Sequence, residues 1–214
     1  MSIKIVPKNL LFDLGGVLLN IDYCLTSKAF QKLGWQNFDD FYSQKNQQVL
    51  FDQLEIGAIS PKEFIESIQK INPNFSDLDI IEAWNAMLLD LPKERIELLK
   101  QLKKNHLLLL LSNTNVIHFE AFNSIIKTQH TGLHIDELFH ATYYSHQLGK
   151  RKPNIETFQY IIKMHKINAS ETLFIDDSIQ HIEGAKKAGL ETYHLQKGED
   201  ITQLFLDTTP PKPH

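Results

Sequence analysis

The chain has little of what marks a secreted or membrane protein. Among its 214 residues there is one cysteine, Cys24, so no disulfide can close within the chain, and a reducing compartment, the cytoplasm, is expected. No apolar stretch approaches the roughly 20 residues that a transmembrane helix needs. The longest run, Leu107 to Leu111, is the length of a strand. Met1 to Lys8 holds no long apolar segment of the signal-peptide kind, and an acidic residue follows at Asp13. Positive charge is not in excess: the formal net charge is −4, which removes the electrostatic footprint of a general nucleic-acid binder. What is there is 42% hydrophobic and 22% charged residues, enough for a buried core and too apolar for a disordered chain. The length fits one domain, or a core with a smaller companion. Only the tail, 208–214 with three prolines, is expected to be disordered.

Short apolar runs alternate with stretches of helical period. Leu10 to Phe12 stops at Asp13, followed by Gly15 and Gly16; Leu107 to Leu111 stops at Ser112 and Asn113. Ala141 to Tyr144 leads into Ser145 and His146, Leu173 to Ile175 stops at Asp176 and Asp177, and a last run covers Glu191 to Leu195. Continuous rather than alternating apolarity is what strands buried on both faces of a parallel sheet show. Between them, Pro153 reads as a first-turn residue ahead of Ile155, Phe158, Ile161 and Ile162, and a helix from Ser178 to Ala188 ends at Gly189. The alternation predicts an α/β fold with a doubly wound parallel sheet, whose ligands bind at the C-terminal strand ends.

Residues 21–92 break that rhythm with helical patterns and no convincing strand. Ser60-Pro61-Lys62-Glu63 is a capping box with proline at the first helical position, followed by Phe64, Ile65, Ile68 and Ile71 on one side. A second helix is expected from Asp77 to Leu89, and Trp35, Trp84 and the phenylalanines at helical spacing are expected to form the core of the whole helical region. The expected organisation is therefore an α/β core, 1–20 and 93–214, interrupted by an all-helical insertion, 21–92, that caps the strand ends and excludes water.

Four polar clusters fall at strand ends, and each has a structural reading beside a chemical one. Asp13 either caps its turn or presents a carboxylate beside a close-approaching glycine backbone. Ser112-Asn113-Thr114-Asn115 either caps the next helix or offers donors to a phosphate at its N-terminus. Lys150-Arg151-Lys152 is either solvated surface or a source of charge for a bound anion. The paired Asp176 and Asp177 repel each other and call for a hard divalent cation, although Asp177 also suits a helix cap.

The order of the four discriminates. The segments 12–22 (FDLGGVLLNID), 111–115 (LSNTN), 149–158 (GKRKPNIETF) and 174–190 (FIDDSIQHIEGAKKAGL) together resemble the haloacid dehalogenase superfamily over essentially the whole chain. Within it they look like the branch that contains bacterial α-D-glucose-1-phosphate phosphatases. The resemblance implies a Rossmann-like core with an inserted cap and a Mg²⁺-dependent phosphatase acting on a small phosphomonoester, a sugar 1-phosphate by analogy with the branch. It makes Asp13 the nucleophile that forms an aspartyl-phosphate, with Mg²⁺ on Asp13, the Gly15 backbone carbonyl and Asp176, and Asp177 orienting the shell behind them. Ser112, Asn113 and Lys152 would hold the phosphoryl oxygens, with Lys152 also counted as catalytic. Asn20, Asp22 and Tyr23 are candidates for substrate specificity, and Glu55 with Gly57 matches a Glu-x-Gly turn of relatives, placed near the site.

Two positions depart from the family. Most of its phosphatases carry a second aspartate two residues after the nucleophile as general acid and base; here that residue is Gly15, as in the sugar-1-phosphate branch. His181 stands where Asp or Asn is usual, and a surface position on its helix is expected. His130 and His134 have a metal-ligand spacing, but Gly132 between them weakens the helix it needs, so zinc is not expected. Two other functions compete: a haloacid dehalogenase, which needs no metal, and a catalytically silent phosphoester-binding protein, which Gly15 alone supports. The expected partner is a small phosphorylated metabolite, with neither nucleic acid nor membrane, and the oligomeric state is left open.

Overall fold

Each of the five apolar runs becomes a strand. The computed structural model describes residues 7–43 and 45–206, and the tail expected at 208–214 lies outside them. Strands β1 (Asn9–Phe12), β2 (Leu107–Ser112), β3 (Ala141–Tyr144), β4 (Thr172–Asp176) and β5 (Glu191–His194) form one parallel sheet in the order β3-β2-β1-β4-β5. Between β1 and β2 come α1 (Tyr23–Lys32), α2 (Phe38–Ser43), α3 (Lys45–Glu55), α4 (Pro61–Ile71), α5 (Asp77–Asn85) and α6 (Lys93–Leu102). The later connections carry α7 (Val116–Gln129), α8 (Ser145–Leu148), α9 (Ile155–His165), α10 (Ile179–Lys187) and, at the end, α11 (Ile201–Leu204).

Strand residues alternate between two apolar layers, which is why the runs are continuously hydrophobic. Leu10, Phe12, Leu108, Leu110, Leu173 and Ile175 pack with α6, α7 and α11. Leu11, Leu109, Leu111 and Phe174 pack with α9 and α10 on the opposite face. The edge strand β3 differs from expectation: Ala141, Thr142 and Tyr143 are only half-buried, because a strand with one neighbour is less enclosed.

The helical insertion has its own aromatic core, with Phe30, Trp35, Phe38, Phe41, Phe64, Phe75 and Trp84 in one cluster. Phe30 and Phe38 stack at 4.3 Å between centroids. The capping box is formed: Ser60 Oγ accepts the Glu63 N–H at 3.2 Å, and Glu63 Oε2 accepts the Ser60 N–H at 2.7 Å. The same device, unforeseen, starts α5 through Ser76 and Asp79. Helix α5 stops at Asn85, short of the expected Leu89, because the following residues pair with the chain leaving β1. Ile21 and Leu88 form an antiparallel bridge, flanked by Asn20 N–H to Asp90 C=O (2.8 Å), Leu89 N–H to Asn20 C=O (3.0 Å) and Asp22 N–H to Met87 C=O (2.9 Å). The two connections into the insertion are thus tied to each other.

Pro153 is not in the first turn of α9, which starts at Ile155 behind Asn154; it belongs to the loop that enters the helix. That loop lies against Gly184 of α10, where a Cβ would come within 2.2 Å of the Pro153 carbonyl oxygen. The close approach yields a prediction. On helix propensity alone, Gly184→Ala gains up to about 1 kcal/mol. Overpacking against fixed backbone costs about 1–3 kcal/mol, so urea unfolding should find the variant less stable than wild type, and a gain in stability would refute the contact.

Candidate active site

Strands β1, β2 and β4 end side by side, and the connections diverge from β1 in opposite directions, the position where open parallel sheets bind ligands. Asp13 follows β1 directly and is fixed by its own N–H to the Ile175 carbonyl at 2.9 Å. Asp176 ends β4, Ser112 ends β2, and both are buried. The basic triplet divides three ways: Lys150 is exposed, Arg151 turns toward the helical insertion, and Lys152 is fully buried. Lys152 Nζ lies 2.7 Å from Asp13 Oδ1 and 2.7 Å from Asp176 Oδ2, with the Phe174 ring 5.4 Å away.

The rest of the cluster determines which carboxylate holds its charge. Asp176 also accepts the Ser178 N–H at 2.8 Å, and His181 Nδ1 sits 3.0 Å from each of its oxygens. Burial works against its charge, but Lys152 and His181 outweigh it and hold Asp176 down at about 2. Asp13 has less support. Burial, with the Asp176 charge adding to it, overcomes the pull of Lys152 and lifts Asp13 to about 7. Burial disfavours the Lys152 ammonium, yet the two carboxylates prevail and raise its pKa. Asp177 is raised by burial and by Asp176. It leans over Gly16, whose φ is +75° and where a Cβ would stand 2.1 Å from Asp177 Oδ2, so only glycine fits there.

Several expected residues are placed differently. The Asn113 side chain is spent on the lysine loop: Oδ1 accepts the Lys152 N–H and Nδ2 donates to the Lys152 carbonyl, both at 3.0 Å. It positions Lys152 rather than offering its amide to an anion. Asn20 is turned away from the site, donating to Asp90 at 3.0 Å and accepting from Arg95 at 2.9 Å. Asp22 caps α1 by accepting the Cys24 N–H at 2.9 Å. Of these three, Tyr23 reaches the cavity. His181 is not a surface residue of α10 but lines the cavity against Asp176. His130 and His134 serve apart, His130 Nε2 meeting the Leu91 carbonyl at 2.7 Å and His134 preceding a short 3-10 turn.

The cavity over Asp13 measures about 470 Å³. Asp13, Gly15, Ser112, Asp177 and His181 form its floor side, with Tyr23, Tyr42, Glu55, Met87 and Arg151 among the others that line it. A second space of about 310 Å³ shares Tyr23, Tyr42, Glu55 and His118 with it and continues toward Trp84. The Glu-x-Gly turn is docked on the core. Ser145 Oγ donates to the Glu55 carbonyl at 2.6 Å, and Gly57, at φ +69°, has no room for a Cβ, which would come 2.4 Å from the His146 carbonyl. Glu55 Oε2 meets Arg151 Nε at 2.6 Å, and Arg151 also pairs with Asp52. Burial raises the Glu55 pKa despite Arg151. Neither Arg151 nor Tyr42 carried a signal in the sequence that separated it from ordinary surface. Among the described residues, one group of metal-binding type stands out: donor atoms of Asp13, Asp176 and His181 lie within 4.8 Å of one another.

Charge gathered at the ends of β1 and β4, on an open parallel sheet beneath a helical insertion, is the arrangement of an α/β enzyme. Residues 7–189 match the haloacid dehalogenase-like hydrolases, and the chain belongs to that family. It is 30% identical over 197 residues to a D-ribitol-5-phosphate phosphatase of Bacteroides thetaiotaomicron, which covers 92% of this chain and 95% of that protein. The crystal structure of a HAD family enzyme from the same species shares 36% identity and a TM-score of 0.87, covering 94% of this chain and 99% of that one. Its complex with magnesium and inorganic phosphate gives 0.85 at the same identity, covering 93% and 99%. A HAD-like hydrolase structure from Porphyromonas gingivalis is 28% identical with a TM-score of 0.82, covering 95% and 96%. The superfamily expected from the motifs is therefore established; the phosphatase among these relatives is named for D-ribitol 5-phosphate rather than glucose 1-phosphate, so the expected branch is not confirmed.

In the cavity wall, His118 is buried between the Trp84 carbonyl, 3.0 Å from Nε2, and the Asn115 side chain, 3.1 Å from Nδ1. Burial lowers its pKa from 6.5 to about 4. As pH falls, the unfolded chain takes up this proton before the folded one does, so stability declines from about pH 6.5 toward 4, by about 3 kcal/mol in all at 1.36 kcal/mol per unit. Urea unfolding of wild type and His118→Asn between pH 4.5 and 7.5 should show their difference shrinking as pH falls. A pH-independent difference would contradict a neutral imidazole at this position.

Proposed function

We propose that this hydrolase is a Mg²⁺-dependent phosphatase that cleaves a small phosphorylated metabolite through an aspartyl-phosphate on Asp13, with 21–92 acting as a cap on a core of 1–20 and 93–214. The observation that carries this reading is Lys152, a fully buried cation held 2.7 Å from both Asp13 and Asp176. Buried ion clusters add little stability that apolar side chains would not supply, and they gather where charge has to be handled. The phosphatase named among the relatives and the magnesium and phosphate complex of the Bacteroides enzyme support it.

The donor set suits a hard divalent cation. Asp13, Asp176 and the Gly15 carbonyl are oxygen ligands of the kind Mg²⁺ prefers, and Asp13, Asp176 and Asp177 outnumber the single buried ammonium. When bound, Mg²⁺ neutralises phosphoryl oxygens and draws Asp13 toward its ionised form. In the cycle proposed for the chain's own groups, an Asp13 carboxylate oxygen attacks phosphorus in line, the bond from phosphorus to the leaving oxygen breaks, and water then hydrolyses the aspartyl-phosphate. Lys152 and the Ser112 hydroxyl stabilise the equatorial oxygens, Asn113 keeps the lysine loop in register, and His181 and the Ser178 N–H hold Asp176 in place. Asp177 orients what surrounds the metal.

Gly15 offers no side chain to protonate the leaving oxygen, a contribution of about 10²–10⁴-fold in general acid catalysis. An anomeric oxygen needs less help than an alkoxide because the ring oxygen withdraws charge, which is the physical case for a sugar 1-phosphate. The pentitol phosphate of the relative is the case for an alkyl ester. A Cβ on Gly15 would meet only the Ile21 side chain, at 3.2 Å, so the missing acid can be restored. Gly15→Asp should raise turnover of glycerol 3-phosphate relative to hexose 1-phosphates by about 10²-fold; an unchanged ratio would show that the leaving group is protonated otherwise.

The decisive experiment is a screen of phosphate esters with Mg²⁺, wild type against Asp13→Asn. The variant should lose more than about 10³-fold in kcat, and EDTA should abolish the wild-type activity. Equal activity of the two proteins would end the enzyme reading. Turnover of 2-chloropropionate in EDTA, without hydrolysis of phosphate esters, would make the chain a dehalogenase instead.

A further inference from the structure

Arg151 and Lys152 are consecutive but serve opposite sides of the cavity. Lys152 lies beneath Asp13, whereas Arg151 lines the wall on the side of the insertion. A guanidinium beside a phosphate site is ordinarily a receptor for a second anion. Here it is already shared: Nε lies 2.6 Å from Glu55 Oε2, and its terminal nitrogen pairs with Asp52. Asp52 stands behind the lining, and with Glu55 it outweighs the one guanidinium on this side of the cavity. The other basic groups lining the cavity are committed, His181 to Asp176, and His118 to Trp84 and Asn115. Asp177 adds further negative charge.

We infer that Glu55 is a specificity-determining residue: paired with Arg151, it makes the leaving-group space accept uncharged, hydroxyl-bearing groups and reject those that carry a second anion. The inference rests on the phosphatase reading above. Hydroxyls suit this wall because each can accept from a guanidinium and donate to a carboxylate. Tyr23 and Tyr42, 60% and 43% exposed, add phenol groups to the same surface. A carboxylate or second phosphate on the leaving group would meet Glu55 and Asp177 with no uncommitted cation among the described residues of the lining. Glu55 is not a loose surface acid. Its carbonyl is held by Ser145, and the Gly57 turn is seated against the His146 carbonyl, so its side chain is delivered to Arg151 by a fixed turn.

The test compares kcat/KM of the full-length protein with Mg²⁺ on matched phosphate esters: glycerol 3-phosphate and a pentitol 5-phosphate against 2-phosphoglycolate and 3-phosphoglycerate. Wild type should favour the uncharged leaving groups by at least about tenfold, and Glu55→Gln should shrink that ratio by about tenfold through a lower KM for the phosphocarboxylates. Adding Arg151→Gln to Glu55→Gln should remove that gain, an effect that a merely structural role for Glu55 would not produce. Asp52→Asn should move the ratio in the same direction and serves if Glu55→Gln fails to fold, as judged by thermal unfolding. Ratios unchanged within about threefold in the variants, or no preference in wild type, overturn the inference. Hydrolysis of p-nitrophenyl phosphate separates the two levels. If wild type cleaves it and the ratios do not move, the Glu55 assignment alone falls; if wild type cleaves no phosphate ester, the phosphatase reading falls and takes the assignment with it.

Discussion

An ammonium group removed from water, with two carboxylates 2.7 Å away, is the constraint on which much of this architecture depends. Taking such ions out of solvent costs on the order of several kcal/mol each unless their partners are placed well. Lys152 therefore needs Asp13 and Asp176 at one level, and the parallel register provides it, because Phe12 lies beside Ile175 and the two acids follow at adjacent strand ends. The lysine must arrive from a separate loop, and that loop is clamped on one side by the Asn113 amide and given space on the other by Gly184. The adjacency of β1 and β4, an asparagine after β2 and a glycine in α10 all contribute to housing this one charge.

The cluster is asymmetric, and the asymmetry separates its two carboxylates. Asp176 has Lys152, the Ser178 N–H and His181, whereas Asp13 has Lys152 and the open side of the cavity. The better supported carboxylate is held at about 2, and the other is lifted to about 7. A carboxylate that is enclosed but weakly compensated gains most from added positive charge, which is the condition the proposed role of Asp13 requires. His181 strengthens the contrast by supporting Asp176.

What could be read from the sequence followed a physical division. Strand ends were legible because apolar runs on a doubly covered sheet stop abruptly where polar residues begin, as at Asp13, Ser112 and Asp176. Side-chain direction was not. Asn113 and His181 are at the expected positions, yet one turns to the lysine loop and the other to Asp176, choices set by partners 39 and 5 residues away. Asn20 and Asp22 looked available because they follow the Asp13 loop, but Arg95 and the first turn of α1 had prior use for them. Helix α5 ended early for the same class of reason, since its last expected residues are claimed by a backbone pairing with residues 20–22. Arg151 was indistinguishable from surface until Glu55, 96 positions earlier, was brought beside it.

The insertion meets the core both at its tied connections and at the Glu55 to Gly57 turn, and the second meeting place bears on chemistry and selectivity together. Ser145 and His146, at the end of β3, receive the turn, while Arg151 takes the Glu55 side chain. Arg151 is covalently joined to the residue that bridges the two buried aspartates, so the cavity wall on the side of the insertion and the cation beneath Asp13 share one loop. Because Asn113 fixes that loop by its backbone rather than by its side chains, Arg151 and Lys152 are free to be specified separately. One can be matched to the insertion while the other stays matched to the two strand ends. A scaffold built in this way can alter the wall of its cavity without disturbing the charge cluster beneath it, because Glu55 approaches from the insertion and touches the loop one residue away from the lysine.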